Sequence, residues 1–257
     1  MDKLSVVIIC KNEEQNIRRC LESVKWADEI VVYDSGSTDK TIEICNEYSC
    51  AVFHNKSWEG FGKAKREAVN LAQNDWIFSI DADEEVSEGL KKTIVDIIAH
   101  TDSLKAYRIK RDSFYMGKMI KYSGWQRDYT LRLFNRKNGN FNLKIIHESV
   151  EVDCKIGRIY EVIYHYTYPF IKTHFTKMIS YSELGAISAY QKKKQSSICK
   201  AYICGVAKFI KMYIINLGFL DGKVGIVLAL NSSIGVYMKY IYLWEQYVLD
   251  SPLEEKN

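Results

Sequence analysis

Trp76-Ile77-Phe78-Ser79-Ile80-Asp81-Ala82-Asp83-Glu84, residues 76–84, decides how the rest of the chain is read. The first five residues form a short apolar run rich in aromatic and β-branched side chains, which reads as a strand buried in a sheet. The run stops at a cluster of carboxylates. Acidic side chains at a strand end stand at the edge of a sheet, and they are hard oxygen ligands suited to Mg²⁺ or Mn²⁺, metals that also bind phosphate oxygens. The same cluster has a plainer reading, because Asp and Glu favour the first turn of a helix.

Outward from this stretch, strand and helix patterns alternate. LSVVIIC (4–10), EIVVYD (29–34) and AVFH (51–54) read as further strands. Ile17, Cys20, Leu21 and Val24 recur at i, i+3, i+4 and i+7, one face of a helix. Ala64, Ala68, Leu71 and Ala72 mark a second helix, and Leu90, Ile94, Ile97 and Ile98 a third. Ser35-Gly36-Ser37-Thr38-Asp39 is a turn that can also cap a helix. Short connections between alternating elements imply a doubly wound α/β sheet, whose ligands bind at the carboxyl ends of the strands. After about residue 104 the pattern changes. KAYRIKR, SFYMGKMIKY and YTLRLFNR read as strands, Asn138-Gly139-Asn140 as a turn, and from about 172 the chain reads helical and basic.

Composition sets the outer limits. The chain has 257 residues, 47% hydrophobic and 26% charged, enough for one large globular domain or a domain with an appendage. A disordered chain needs fewer apolar residues and more net charge. Two prolines exclude a proline-rich stalk, and seven scattered cysteines without a CxxC pair argue against a disulfide scaffold or zinc site. The first residues carry charges on both sides of a short apolar run, wrongly flanked for a signal peptide, so the chain is expected on the cytoplasmic side. Residues 155–240 hold 12 Lys/Arg against 3 Asp/Glu, while the remainder holds 24 against 29. A basic second part implies an anionic partner: a membrane surface, a phosphorylated lipid or nucleic acid.

Two more polar clusters close strands. Asp34 ends the second strand before SGSTD, where its carboxylate can meet a nucleobase or ribose or simply shape a turn. Lys11-Asn12-Glu13 ends the first strand and opens a helix, where free backbone N–H groups can meet a ligand or an ordinary cap can form. Three such clusters at three strand ends form a joint pattern that chance seldom produces.

LSVVIICKNEEQNIRRCLESV, EIVVYDSGSTDKT and GFGKAKREAVNLAQNDWIFSIDADEE together resemble inverting glycosyltransferase family 2, over about residues 4–150. GWQRDYTLRLFNR, IIHESVEV and FIKMYIINLGFLDGKVG look like its bacterial branch of lipopolysaccharide inner-core β-1,4-glucosyltransferases. The resemblance implies a GT-A fold, a Rossmann-like nucleotide-sugar-binding sheet over residues 1–165 with a helical, basic region over 166–257 that presents an acceptor. It implies a UDP-sugar donor, Mn²⁺ or Mg²⁺, and a lipid-linked or lipopolysaccharide-core acceptor. Residue by residue, Asp34 matches the aspartate that reads uracil. Lys65 matches a basic residue lying against the nucleotide, with Arg66 where the family often has Asn, and Lys11 and Glu13 fall in its first loop. Asp81 matches the first carboxylate of the DxD motif, near ribose and metal; Asp83 matches the carboxylate that binds metal; His147 matches a histidine that completes metal binding in some relatives. Asp128 matches the region supplying the catalytic base, with Glu148 as the rival.

The chemistry of the residues agrees with an inverting transfer, in which a carboxylate takes the proton of the attacking hydroxyl and metal neutralises the departing diphosphate. Plainer roles stand beside these: His147 as a strand-end histidine bonded to backbone, Asp128 as the ion-pair partner of Arg127 or Arg132, and Trp125 as core rather than as a sugar-stacking wall. A polyprenyl-phosphate sugar synthase and a catalytically silent nucleotide-sugar module are the rival functions. A nicotinamide dehydrogenase is disfavoured because no GxGxxG follows the first strand, and a nucleic-acid partner because no RNA-binding pattern accompanies the basic half. Lys172, Lys177, Lys192–Lys194, Lys200, Lys208 and Lys211 interleave with apolar residues, as in a helix lying in a membrane interface. The expected location is peripheral, on the inner face of the cytoplasmic membrane. The apolar stretch 224–238 is too short to span, so a buried or monotopic helix is expected there.

Overall fold

The computed structural model describes residues 2–55, 58–100, 105–144 and 148–250. In chain order the elements are β1 (Leu4–Cys10), α1 (Ile17–Val24), β2 (Glu29–Asp34), α2 (Thr41–Glu47), β3 (Ala51–His54), α3 (Phe61–Leu71) and β4 (Trp76–Asp81). There follow β5 (Glu84–Val86), α4 (Glu88–Ala99), β6 (Ala106–Tyr115), β7 (Lys118–Met119), β8 (Tyr129–Asn135), β9 (Gly139–Phe141), β10 (Val150–Val152) and β11 (Ile156–Tyr168). The helices α5 (Ile171–Gln191), α6 (Ile198–Ile210) and α7 (Gly222–Asp250) complete the chain.

Nine strands form one sheet in the order β3-β2-β1-β4-β8-β6-β11-β5, with β7 beside β6. β3, β2, β1 and β4 run parallel, and β8 turns antiparallel against β4. β1 is central to the parallel half, which explains its unbroken apolar run. Val6, Ile8 and Cys10 pack on one face with Ile17, Cys20, Leu21 and Val24 of α1 and with Leu90 and Ile94 of α4. Val7 packs on the other face with Ala68 and Val69 of α3. Each fully buried aliphatic side chain of this kind contributes about 1.5–3 kcal/mol of transfer free energy. The topology switches after β4. β5 begins three residues beyond Asp81 but pairs antiparallel with β11, through Glu84 opposite His165. The carboxylate cluster therefore occupies the crossing between the parallel strands and the mixed half of the sheet.

Three expectations change. Leu71 is 36% exposed, and the buried face of α3 runs instead through Gly62, Ala64, Lys65, Ala68 and Val69. Ala64, Ala68 and Ala72 are buried as expected, and Lys65 joins them through its ion pairs to Asp81 and Glu148. β11 was not anticipated, although IGRIYEVIYHYTY is rich in aromatic and β-branched residues. The apolar stretch 224–238 belongs to a far longer helix. With the turn before it, α7 is long and apolar enough to cross a membrane by length and composition, and 22% of its most apolar window is buried.

The chain divides into two compact units, Met1–Asp112 with Arg127–Tyr166, and Ser113–Gln126 with Thr167–Asn257. In the second unit α5 and α6 both pack along α7. Small residues permit the approach: Ser182 Oγ donates to Gly235 O, and Ser233 Oγ donates to Gly205 O. Asp221, 2% exposed, accepts bonds from the Lys121 and Tyr122 amides at 3.0 and 3.1 Å and from Ser123 Oγ. That buried carboxylate fastens 121–123 to the turn before α7, which is why 113–126 groups with the C-terminal helices.

Candidate active site

Two loops at the carboxyl ends of β1 and β2 are stitched together by side chains. The amides of Asn12, Glu13 and Glu14 donate to Ser37 Oγ, Thr41 Oγ1 and Asp39 Oδ2 at 2.9, 2.8 and 3.2 Å. Asn12 Oδ1 accepts the Thr38 amide in return. Of the backbone donors expected at Lys11-Asn12-Glu13, those of Asn12 and Glu13 are therefore committed to hydroxyls of the neighbouring loop. Lys11 itself is exposed. Asn12 adopts φ +55°, the left-handed conformation that Asn tolerates better than most residues.

Asp34 organises the second loop. It is 1% exposed, and its carboxylate accepts the Gly36 amide at 3.0 Å, the Ser37 amide at 3.1 Å and Ser37 Oγ. His54 Nδ1 lies 3.4 Å away. Burial pushes this carboxyl up, but the bonds from Ser37 and Gly36 and the contact with His54 outweigh burial and hold it below its ordinary value.

Asp81 ends β4 in a network of ion pairs. Lys65 Nζ lies 2.9 Å from Asp81 Oδ1 and 2.8 Å from Glu148 Oε1. Arg132 Nη2 lies 2.6 Å from Asp81 Oδ2 and 2.8 Å from Glu84 Oε1. Glu84 is fully buried; its other oxygen accepts the Asp81 amide at 2.9 Å, and Arg111 Nη1 approaches it at 3.2 Å. Arg111 then reaches Asp128 Oδ2 through Nη2 at 2.6 Å and Nε at 2.7 Å. Burial alone would push the Asp81 carboxyl up, yet Arg132 and then Lys65 overcome it and hold the group well below the carboxylate range. Burial likewise pulls the Lys65 ammonium down, while Asp81 and Glu148 raise it above its ordinary value against the opposing charge of Arg132. Each carboxylate of the network lies against at least one cation, and each cation against two carboxylates.

The position of Lys65 depends on a close approach. A Cβ on Gly62 would meet Asn142 O at 2.3 Å and Lys144 O at 2.6 Å, so only glycine lets the chain before Glu148 lie against the first turn of α3. The Gly62 amide donates to Lys144 O at 3.1 Å.

Asp83 stands on the other side of the crossing. Its Oδ1 lies 3.5 Å from His165 Nε2, and its carbonyl accepts the Tyr166 amide at 2.9 Å. Arg19 stacks over the Tyr166 ring at 3.6 Å, and the Tyr166 hydroxyl donates to Glu85. Neighbouring ligands of an octahedral ion at about 2.1 Å sit about 3 Å apart, close to the Asp83–His165 separation. Among the described residues no group of three His, Cys, Asp or Glu side chains converges on a metal position. One carboxylate and one imidazole still fit an ion of the Mg²⁺ or Mn²⁺ kind, which completes its shell with water and substrate phosphate.

Asp34, Lys65, Asp81, Asp83, Asp128 and Glu148 all belong to the first unit, and the ion pairs join Lys65, Asp81, Asp128 and Glu148 into one network. Asp128 pairs with Arg111 rather than with Arg127 or Arg132. His147 lies outside the described residues. Trp125 belongs to the second unit, edge-on to Tyr115 at 6.3 Å and packed on the cluster of Ile120, Met212 and Leu228. Sequence reasoning missed Arg111 and His165, and it offered Arg132 to Asp128 rather than to Asp81 and Glu84. Arg132 carried a signal, a charged residue inside the apolar strand YTLRLFN. His165 carried none, because its partner is 82 residues away and reached only through the β5–β11 pairing.

The model of the family described as glycosyl transferase family 2 matches residues 5–152, more than half of the chain. The chain belongs to glycosyltransferase family 2. Its mixed α/β sheet and helical C-terminal region are those expected of a GT-A member. This family 2 transferase is 27% identical over 250 residues to the lipopolysaccharide core biosynthesis glycosyltransferase LpsC of Rhizobium meliloti, covering 92% of this chain and 93% of LpsC. It is 32% identical to an uncharacterized glycosyltransferase of Rickettsia felis, covering 100% of this chain and 93% of that one. Among solved structures, TarS 1–349 of S. aureus matches at 16% identity, covering 97% of this chain and 92% of that one with a TM-score of 0.47.

Proposed function

We propose that this family 2 enzyme transfers a hexose, glucose in the first instance, from a UDP-sugar to a hydroxyl of a lipopolysaccharide-core acceptor, with inversion at the anomeric carbon. The observation that carries the reading is the pairing of Asp81 with Asp83 at the carboxyl end of β4. One carboxylate is locked by Lys65 and Arg132, and the other stands beside His165. The name of LpsC supports the class of acceptor.

The locked cluster acts as a fixed floor. Asp81 cannot swing away without breaking bonds to two buried cations, so its oxygens stay where a ribose hydroxyl can donate to them. Asp34 holds the 36–37 loop that closes one side of the uracil position. Lys65, neutralised by two carboxylates, acts by holding Asp81 and Glu148 rather than by meeting the diphosphate as a free charge. Asp83 and His165 would hold Mn²⁺ or Mg²⁺, with His147 as a further candidate. A bound divalent ion supplies charge neutralisation for the departing UDP.

Asp128 takes the proton of the acceptor hydroxyl. Its Oδ2 is occupied by Arg111, which fixes the carboxylate plane, and its side chain is 31% exposed against 16% for Glu148. Glu148, bound to the buried Lys65, is the poorer candidate. General base catalysis of this kind contributes on the order of 10²–10⁴-fold. A lipid-linked acceptor places the enzyme peripherally on the inner face of the cytoplasmic membrane, with no role for nucleic acid.

The test is UDP release in the presence of Mn²⁺ from UDP-glucose, UDP-galactose, UDP-N-acetylglucosamine and UDP-glucuronate, with and without inner-core lipopolysaccharide. Release requiring one donor and that acceptor supports the reading. Release requiring polyprenyl phosphate instead refutes the acceptor, and UDP binding without turnover on any acceptor refutes the transferase.

A further inference from the structure

We propose that the outward face of α6, with the turn that follows it, docks the enzyme on an anionic bilayer by inserting apolar side chains at the level of the lipid headgroups. This deepens the peripheral placement given above and rests on it for the side of the membrane concerned.

α6 is amphipathic in the wrong sense for a helix facing water. Ala201 and Gly205 are its buried residues, the small ones, and they allow close packing on α7. Its large apolar residues point outward: Ile198, Tyr202, Ile203, Val206 and Ile210 are 40–67% exposed. At 100° per residue these five fall within about 140° of the helix circumference, so they form one continuous stripe. In the turn that follows the helix, Ile215 and Leu220 are also 68% and 52% exposed. A contiguous exposed apolar surface of this length marks an interaction site rather than ordinary surface.

Charge selects the occupant. Between residues 192 and 223 the basic residues are Lys192, Lys193, Lys194, Lys200, Lys208, Lys211 and Lys223, and the one acidic residue is Asp221. Asp221 is 2% exposed and consumed by bonds within its own unit. The segment that carries the stripe therefore offers exposed lysines and no exposed anion. A second copy of the chain, docked face to face, would set two lysine sets against each other, which is unfavourable. An anionic leaflet satisfies both features at once: acyl chains and glycerol backbones take the isoleucines, Tyr202 sits at the interface, and phosphates take the lysines.

Co-sedimentation of the full chain with phosphatidylcholine vesicles, with and without phosphatidylglycerol, tests this. The wild type is expected to pellet with anionic vesicles and to be released by salt. Ile203→Asp/Ile210→Asp is expected to bind at least tenfold more weakly. Lys192→Gln/Lys193→Gln/Lys194→Gln, confined to exposed positions, is expected to lose about as much and to lose most of the salt dependence. Both variants are expected to keep the far-ultraviolet circular dichroism of the wild type. A wild type that stays in the supernatant overturns the proposal. So does equal vesicle binding by the wild type and both variants, or a wild-type dimer that Ile203→Asp/Ile210→Asp converts to monomer without any vesicle binding. Neither donor nor acceptor is present, so failure of the transferase reading leaves this outcome untouched, and the reverse holds.

Discussion

Arg132→Met removes the cation that ties Asp81 to Glu84 while keeping a side chain of similar reach. In the wild type Arg132 Nη2 holds Asp81 at 2.6 Å and Glu84 at 2.8 Å, with the Glu84 side chain fully buried and that of Arg132 5% exposed. Breaking a buried pair by deleting one partner costs about 3–5 kcal/mol, because the surviving charge stays desolvated. Lys65 remains on Asp81 and Arg111 on Glu84, so the expected cost lies at the low end, about 3 kcal/mol. For a protein of this size that corresponds to a fall in Tm of about 6–12 °C. The assay is thermal unfolding followed by circular dichroism at pH 7. Asp81→Asn and the double variant complete a cycle whose coupling should exceed about 1 kcal/mol. The pH dependence has a definite sign. The Asp81 carboxyl is held well below its ordinary value, so its stabilisation is complete above about pH 4 and is lost as pH falls through the folded-state value. In Arg132→Met that carboxyl keeps only Lys65 as a cationic partner, so it sits higher and protonates earlier. The gap in Tm between the two proteins should therefore narrow as pH falls below about 4. A fall in Tm under about 2 °C at pH 7, or a gap that does not change with pH, would refute the reasoning.

Other expectations concern single residues. Asp128→Asn should lower turnover by about 10²–10⁴-fold while UDP affinity stays at the wild-type value; full activity there, with loss in Glu148→Gln, would move the base to Glu148. His165→Ala should weaken Mn²⁺ binding tenfold or more, read as free Mn²⁺ by electron paramagnetic resonance in the presence of UDP. An unchanged Mn²⁺ affinity would remove His165 from the metal position. Gly62→Ala places a methyl 2.3 Å from Asn142 O and should cost about 1–3 kcal/mol by forcing the 142–144 segment away from α3. A Tm within error of the wild type would show that the 142–144 segment gives way freely.

The parallel half of the sheet was legible because its central strands, β1 and β4, are buried on both faces and α1 on one. The apolar runs at 4–10 and 76–80 and the stripe Ile17–Val24 follow directly from that burial. The strand-end carboxylates were legible for a related reason, since a charge directly after a buried strand has to stand at an edge. The partners of those carboxylates were not. Lys65 reads as a helix-surface lysine until Gly62 lets the 142–144 segment lie against α3 and Lys65 meets Asp81 and Glu148. His165 meets Asp83 because β5 crosses to β11, a long-range pairing with no local sign in the sequence. The backbone donors at residues 12–14 looked available because a helix N-terminus leaves them free locally. Ser37, Asp39 and Thr41, 25 to 28 residues away, take them. The long C-terminal helix exceeded its apolar stretch because Lys239–Asp250 continues the helix with polar and aromatic residues that hydropathy alone discounts.

The central claim is that a UDP-sugar is bound at the Asp81–Asp83 crossing with a divalent ion. Calorimetric titration of UDP into the wild type and into Asp83→Ala, each with and without Mn²⁺, tests it most directly. The account predicts that Mn²⁺ strengthens UDP binding to the wild type at least tenfold and has no effect on Asp83→Ala. Equal UDP affinity in all four titrations, or no binding in any, would contradict it.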